Sequence, residues 1–182
     1  MDERIDIWDE TGTPTGVTAM KSEAHRDALW HPTVHIWFFT ATGMVLLQRR
    51  AEDKDTYPGL WDVSVAGHIG AGESLLLGAL REISEEIGLQ VEESELELIA
   101  VHKEAKDHPN GIRDREFRHV YLCELRTPLE DLEPQESEVA ELKLIPLMQW
   151  AEEVWGLARP GPYVPHGADY YGKVIKEIRS RL

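Results

Sequence analysis

A single α/β domain, a mixed sheet with few helices, is the fold class that the sequence predicts. Its 182 residues are 42% hydrophobic and 29% charged, with the charges mixed along the chain, a composition that supports one globular core. Strand-like apolar segments recur from TVHIWFFT to EVAELKLIP, and among them ELELIAVHKEA and REFRHVYLCEL alternate as strands do. Among them lies one amphipathic stretch of helical period, Ser74 to Ile87.

In chain order, IDIWDETGTPTGVTAM reads as a hairpin with Gly12 and Pro14 near its turn. SEAHRDALWH is a loop or a short helical turn, so residues 1–32 form an N-terminal extension. The core, 33–155, opens with TVHIWFFT and MVLLQRR, split by a second hairpin signal at Thr42-Gly43. AEDKDTYPGLWD is a loop punctuated by Pro58 and Gly59, and DVSVAGH is a short strand. Ser74 suits the start of the helix, because its hydroxyl accepts from an exposed amide of the first turn, and Gly88 suits its end. ELELIAVHKEA and REFRHVYLCEL alternate as strands on either side of a turn at Asn110-Gly111. EVAELKLIP is a further strand and PLMQWAEEVW a short helix. The segment 165–182 ends in a helix with Tyr171, Val174, Ile175 and Ile178 on one face.

A formal charge of -15 argues against nucleic-acid binding through a broad basic surface, although local arginines and a divalent cation still admit an anionic substrate. No apolar run reaches bilayer length, and MDERIDIWDE lacks the layout of a signal peptide. The single cysteine, Cys123, excludes an internal disulfide and sits in HVYLCEL as a small buried hydrophobe. These features predict a cytoplasmic enzyme for a small molecule.

The helix carries the chemistry. Leu76, Ala79, Leu80, Ile83 and Ile87 make its apolar stripe. Glu82 and Glu86, one turn apart, share a flank at the edge of that stripe, and Glu85 lies further round. Like charges so spaced repel, and only Arg81 compensates nearby. A solvated acidic face is the ordinary explanation of such a cluster. Here the preceding glycine-rich loop, GHIGAG, lets backbone approach a ligand closely, and oxygen-rich carboxylate sites suit Mg²⁺ or Mn²⁺.

Gly67, Glu73, Arg81, Glu82, Ile83, Glu85, Glu86, Gly88 and Leu89 fill every fixed position of G-x5-E-x7-R-E-U-x-E-E-x-G-U, where U is aliphatic. The run resembles the Nudix box, and YPGLWD resembles the segment that leads into it. The resemblance implies the Nudix fold, a mixed sheet sandwiched between helices, and hydrolysis of a diphosphate linked to a nucleoside or another moiety. It implies that Glu82, Glu85 and Glu86, with the backbone carbonyl of Ala66, ligate Mg²⁺ or Mn²⁺. Arg81 then orients a glutamate, while Gly67 and Glu73 serve the loop, Glu73 bracing it against the helix. A homodimer is a family-level expectation.

A second resemblance is carried by AHRDALWH, LLQRRAEDKDTYPGLW, VSVAGH and GIRDREF, which look like type I isopentenyl-diphosphate isomerases. It implies a metal site from His25, His31, His68, Asp114 and Glu116, and diphosphate contacts from Arg50 and Lys54. Those histidines bind a second metal or persist as relics that contact phosphate or substrate. Asp114 stands where a glutamate is usual, and Ala66 stands where the isomerases place a catalytic cysteine. Alanine has no proton to give, while the hydrolytic box is complete. Hydrolysis is therefore the leading reading, with Glu116 as a further ligand or general base. Isomerisation of an allylic diphosphate is the alternative, and a binding domain without activity is the third. Arg113, Arg115 and Arg118 form a further basic group, and Trp30, Trp37, Phe38, Tyr57 and Trp61 either line a pocket or fill the core.

Overall fold

The computed structural model describes residues 2–156 and 161–182; Met1, at the head of the expected extension, lies outside them. The extension is the expected hairpin, β1 (Arg4–Trp8) with β2 (Pro14–Met20), followed by the short helix α1 (Lys21–Asp27). Ile5, Ile7, Ala19 and Ala24 bury together there as a small separate core.

The main sheet has seven strands: β3 (His31–Phe39), β4 (Met44–Arg50), β5 (Trp61–Asp62), β6 (Val65–His68), β7 (Glu97–Asp107), β8 (Arg113–Glu124) and β9 (Val139–Pro146). The remaining helices are α2 (Leu75–Ile87), α3 (Leu147–Val154) and α4 (Ala168–Arg179). Every residue of β3 is buried, which requires cover on both faces. Alternation sends Val34, Ile36 and Phe38 to one side, where Ala79, Ile83 and Ile87 of α2 meet them. Trp37 and Phe39 go to the other, against Trp150 of α3 and Tyr171, Val174 and Ile178 of α4. Each fully buried side chain of this kind stabilises the fold by roughly 1.5–3 kcal/mol. The helix–sheet–helix sandwich follows from that two-sided pattern.

Both ends of α2 are as expected. Ser74 Oγ accepts from the amide of Leu77 at 3.2 Å, and Gly88 closes the helix with φ of 69°. The second hairpin is less complete than its turn suggests. β3 and β4 pair only at Phe39 with Val45, and then they part. β4 runs antiparallel to β9, whereas β3 pairs with β6 over Thr33–Ile36 and lies parallel to β8 over its whole length. The sheet thus forks beside β3, and the fork opens a cleft.

Candidate active site

The cleft encloses about 420 Å³ between β3, β6, β8 and the loop after β4. At one end stand four groups whose ligand atoms lie within 4.8 Å of one another: His25, His31, His68 and Glu116. Strand register explains the convergence. His31 is opposite Glu116 on β8, and His68 of β6 is opposite Thr33, one step along the same face of β3. His25 comes from α1, its Nε2 3.3 Å from that of His68.

His31 shows what the cluster can hold. Its Nδ1 is 2.8 Å from the carbonyl of Leu29; a carbonyl only accepts, so Nδ1 carries the proton. The bare lone pair of Nε2 is buried with no partner among the described residues. Burial lowers the proton affinity of all three histidines, reinforced at His25 and His68 by the neighbouring His31. For Glu116, burial works toward the neutral acid, but Arg118 and then His68 override it and hold the carboxyl well below its ordinary range. Three neutral imidazoles, one carboxylate and an orphaned lone pair fit a divalent cation.

The box carboxylates approach β6 from its other face. Gly67 lies against Glu82 so closely that a Cβ there would sit 2.0 Å from the Glu82 carboxyl carbon. Glu86 Oε2 accepts from Gln48 Nε2 at 3.0 Å and from the amide of Ala66 at 3.3 Å. Burial pushes Glu86 up to about 8, with a further contribution from Glu82. Burial also pushes Glu82 up to about 7, against the pull of Arg81. Arg81 is the bracket of the loop: it donates to both oxygens of Glu73 at 3.0 Å, to Glu82 at 2.8 Å and to the carbonyl of His68 at 2.9 Å. Glu73 in turn accepts from the amide of Gly70. One buried and one half-buried carboxyl against the Ala66–Gly67 backbone make an oxygen-rich corner suited to a hard cation.

The profile of the NUDIX domain family matches residues 29–164. The chain belongs to the Nudix family. It is 38% identical to Nudix hydrolase 3 of Arabidopsis thaliana over 186 aligned residues, covering 99% of this chain and 24% of that protein. It thus spans about a quarter of that relative's length. An isopentenyl-diphosphate Delta-isomerase of Kocuria rhizophila is 36% identical over 140 residues, 76% of this chain and 75% of the isomerase. Among solved structures, DR0079 of Deinococcus radiodurans superposes with a TM-score of 0.70 at 18% identity, covering 97% of this chain and 99% of that one. The NUDIX domain of Shewanella oneidensis NrtR, complexed with ADP ribose, gives 0.58 at 21% identity over 82% of this chain and 86% of its own. The chain is accordingly an enzyme of the Nudix hydrolase class, a family that generally uses divalent cations.

Several site residues of this Nudix chain stand differently from the sequence reading. Glu85 does not join Glu82 and Glu86; it is exposed, at 3.2 Å from Arg81. Asp114 lies outside the four converging groups: its Oδ2 is 2.7 Å from His108 Nε2, and its other oxygen reaches only to 3.9 Å from His25. A glutamate would extend further than this aspartate. Arg50 faces the cleft, and Arg49 turns outward to Glu52 and Glu141. Arg50 is already engaged by Asp62 at 3.2 Å and by the carbonyl of Thr56 at 2.9 Å, and Lys54 by Glu138. Trp37 and Phe38 are core, Trp30 packs on Phe117, and Tyr57 lines the cleft in a left-handed conformation.

The far end of the cleft was not foreseen. Asp62 and His166 pair at 2.6 Å, Arg118 lies 3.3 Å from His166 Nδ1, and His35 Nδ1 is 2.6 Å from the hydroxyl of Tyr170. The one available signal was the alternation His31, Thr33, His35 in HPTVHIW, which places all three on a single face. Cys123 is buried, and burial pushes its thiol up to about 12. It lies on β8 outside the cleft lining, so it does not replace the thiol that Ala66 lacks.

Proposed function

We propose that this chain is a metal-dependent hydrolase that cleaves a diphosphate linkage, with Mg²⁺ or Mn²⁺ as cofactor. The observation that carries the reading is the packing of Glu82 and Glu86 against the Ala66–Gly67 backbone. Their carboxyls are raised to about 7 and about 8, so they gain most from a cation that offsets their charge. A cation held there by Glu82, Glu86 and the carbonyl of Ala66 would neutralise the anhydride and activate water. Glu85, exposed beside Arg81, contributes from the rim. His25, His31, His68 and Glu116 hold a second divalent ion, and Mn²⁺ suits both donor sets.

The remaining residues bind and orient. Arg50 and Lys54 line the cleft and take the diphosphate, exchanging bonds to Asp62, Thr56 and Glu138 for phosphate oxygens. Arg81 and Glu73 fix the loop so that the Ala66 carbonyl and Glu82 keep their places. Glu116 is held ionised by Arg118, so it serves as a ligand rather than as a proton acceptor. The partner is a small molecule, and no helix among the described residues is long and apolar enough to cross a membrane. Ala66 beside the cluster has no proton to transfer, which separates this reading from the isomerase alternative.

The test is turnover with Mg²⁺ or Mn²⁺ across nucleoside diphosphate derivatives, dinucleotides and isoprenyl diphosphates, following phosphate release and double-bond migration separately. Release of phosphate or of monophosphate products is expected, with no migration. Migration without release would establish the isomerase instead. Glu116→Gln is expected to lower kcat/KM by about 10- to 100-fold or more, at least as much as the loss of a group that only orients metal ligands costs. Wild-type rates in that variant would remove the histidine cluster from the reaction.

A further inference from the structure

The stretch before α4, PYVPHG, returns the chain to the cleft. Its backbone is pinned on β5: Trp61 donates to the carbonyl of Pro162 at 2.8 Å, and Val164 donates to the carbonyl of Trp61 at 2.9 Å. Gly167, with φ of 93°, then turns the chain into α4. Between these fixed points His166 enters the cleft wall, its ring buried against Tyr170 and Tyr171 of α4 and His35 of β3.

Both ring nitrogens are assigned by their neighbours. Burial works toward a neutral Asp62, but His166 and Arg50 outweigh it and hold that carboxyl well below its ordinary range. A carboxylate oxygen only accepts, so His166 Nε2, at 2.6 Å from Asp62 Oδ1, carries the proton. A guanidinium only donates, so Nδ1, at 3.3 Å from Arg118 Nη1, presents its lone pair. Asp62 thus fixes the tautomer and aims the other nitrogen.

That nitrogen meets a guanidinium set between two carboxylates. Glu104 of β7 and Glu116 of β8 are opposite each other in register. Arg118 Nε donates to Glu116 Oε2 at 2.7 Å, while Nη1 lies 3.5 Å from Glu104. A single bond would leave the planar fork free to turn about it; a second bond, to His166, fixes its plane. With Oε2 of Glu116 taken by Arg118, Oε1 is the oxygen left to face the histidines, 4.0 Å from His68 Nε2. One row of contacts, Arg50–Asp62–His166–Arg118–Glu116, therefore runs from the diphosphate end of the cleft to the histidine cluster.

We infer that His166 is a positioning residue: by accepting from Arg118 it holds the guanidinium on Glu116, and so sets the geometry of the one carboxylate among the four converging groups. It acts through Arg118 and is not itself a ligand. The inference rests on the reading of the cluster as a metal site and adds what keeps that site in shape.

Glutamine and asparagine separate the two nitrogens. In His166→Gln the amide nitrogen takes the place of Nε2, keeps the bond to Asp62 and leaves Arg118 without its acceptor. In His166→Asn the amide oxygen takes the place of Nδ1, keeps the acceptor and gives up Asp62. Each variant loses one buried hydrogen bond, so a merely structural role predicts the same effect from both. The readout is the affinity for Mn²⁺, taken from the EPR signal of the free ion, with every protein also carrying Glu86→Gln to remove the contribution of the box corner. His166→Gln is expected to weaken binding by about tenfold, the lower end of what the loss of an orienting group costs a metal site, and His166→Asn to stay within about threefold of its parent. The Tm of the two metal-free variants is expected to fall alike, by a few degrees. Equal losses of affinity in both variants, a larger loss in the asparagine variant, or none in either would overturn the positioning role and leave the metal site standing. A parent that binds no Mn²⁺ would remove the metal site and the inference together. The wild-type protein supplies a check that needs no variant: ¹⁵N NMR of the histidine rings is expected to show His166 with a protonated Nε2 and a bare Nδ1, and the opposite tautomer would overturn the assignment.

Discussion

Glu86→Gln is expected to abolish hydrolysis, by about 10³-fold in kcat/KM or about 4 kcal/mol of transition-state stabilisation, while making the metal-free protein more stable above neutral pH. The two effects have one cause. Glu86 is 5% exposed, its proton affinity raised from 4.5 to about 8 by burial and by Glu82. In the unfolded chain the carboxyl ionises near 4.5; in the folded, metal-free chain it holds its proton to about 8. Folding is therefore most stable, as far as this group goes, below pH 4.5, and it loses stability as pH rises from there to about 8. The loss is on the order of 5 kcal/mol, or on the order of 10 °C in Tm for a chain of this size. Glutamine keeps the shape and the contact with Gln48 but cannot ionise, so thermal melts of the variant in EDTA between pH 5 and 9 should lack most of that decline. Glu82, raised to about 7, leaves a smaller slope of the same sign. If the variant melted with the wild-type pH profile, Glu86 would not be the buried acid described above. If it retained wild-type turnover, the corner at Ala66–Gly67 would not be the catalytic one.

The same residue shows how far the chain could be read without its fold. The helix, its caps at Ser74 and Gly88 and the flank shared by Glu82 and Glu86 are local matters, fixed by a period of 3.6 and by the chemistry of single residues. They were legible. The two-sided burial of β3 was a further finding: the apolar run VHIWFF marked a strand, but the helices that cover both of its faces come from distant parts of the chain. The strand partners were not legible. The turn at Thr42-Gly43 correctly joins β3 to β4, yet most of the pairing of both strands goes to β8, β6 and β9, which are distant in sequence. That pairing creates the cleft. Asp62 and His166 are 104 residues apart and meet only because the chain returns before α4. Asp114 illustrates a finer limit: resemblance placed it among the ligands, but a side chain one methylene short of glutamate is engaged by His108 instead.

Gly67→Ala is expected to inactivate the enzyme about as severely as Glu82→Gln, by about 10²-fold or more, without unfolding it. The added Cβ would lie 2.0 Å from Cδ of Glu82 and 2.3 Å from its Cγ and Oε1, distances that no contact tolerates. What gives way decides the outcome. The obstructing atoms belong to a side chain with rotatable bonds, and no backbone atom is among the three nearest. Gly67 itself has no positive φ, so alanine imposes no strain on the strand. Glu82 therefore swings out of the corner, Arg81 loses the partner it holds at 2.8 Å, and Glu86 keeps its bonds to Gln48 and Ala66. Since both substitutions remove the same carboxylate from the same place, their effects should not add. The double variant Gly67→Ala/Glu82→Gln is expected to be no slower than the worse single variant, with a coupling energy close to the smaller single effect. Circular dichroism and Tm within a few degrees of wild type would accompany that result. Additive losses would mean that the glycine serves the substrate directly, and a collapsed Tm would mean that β6 rather than Glu82 had moved. Either would detach the first glycine of the box from the carboxylate it is placed to accommodate.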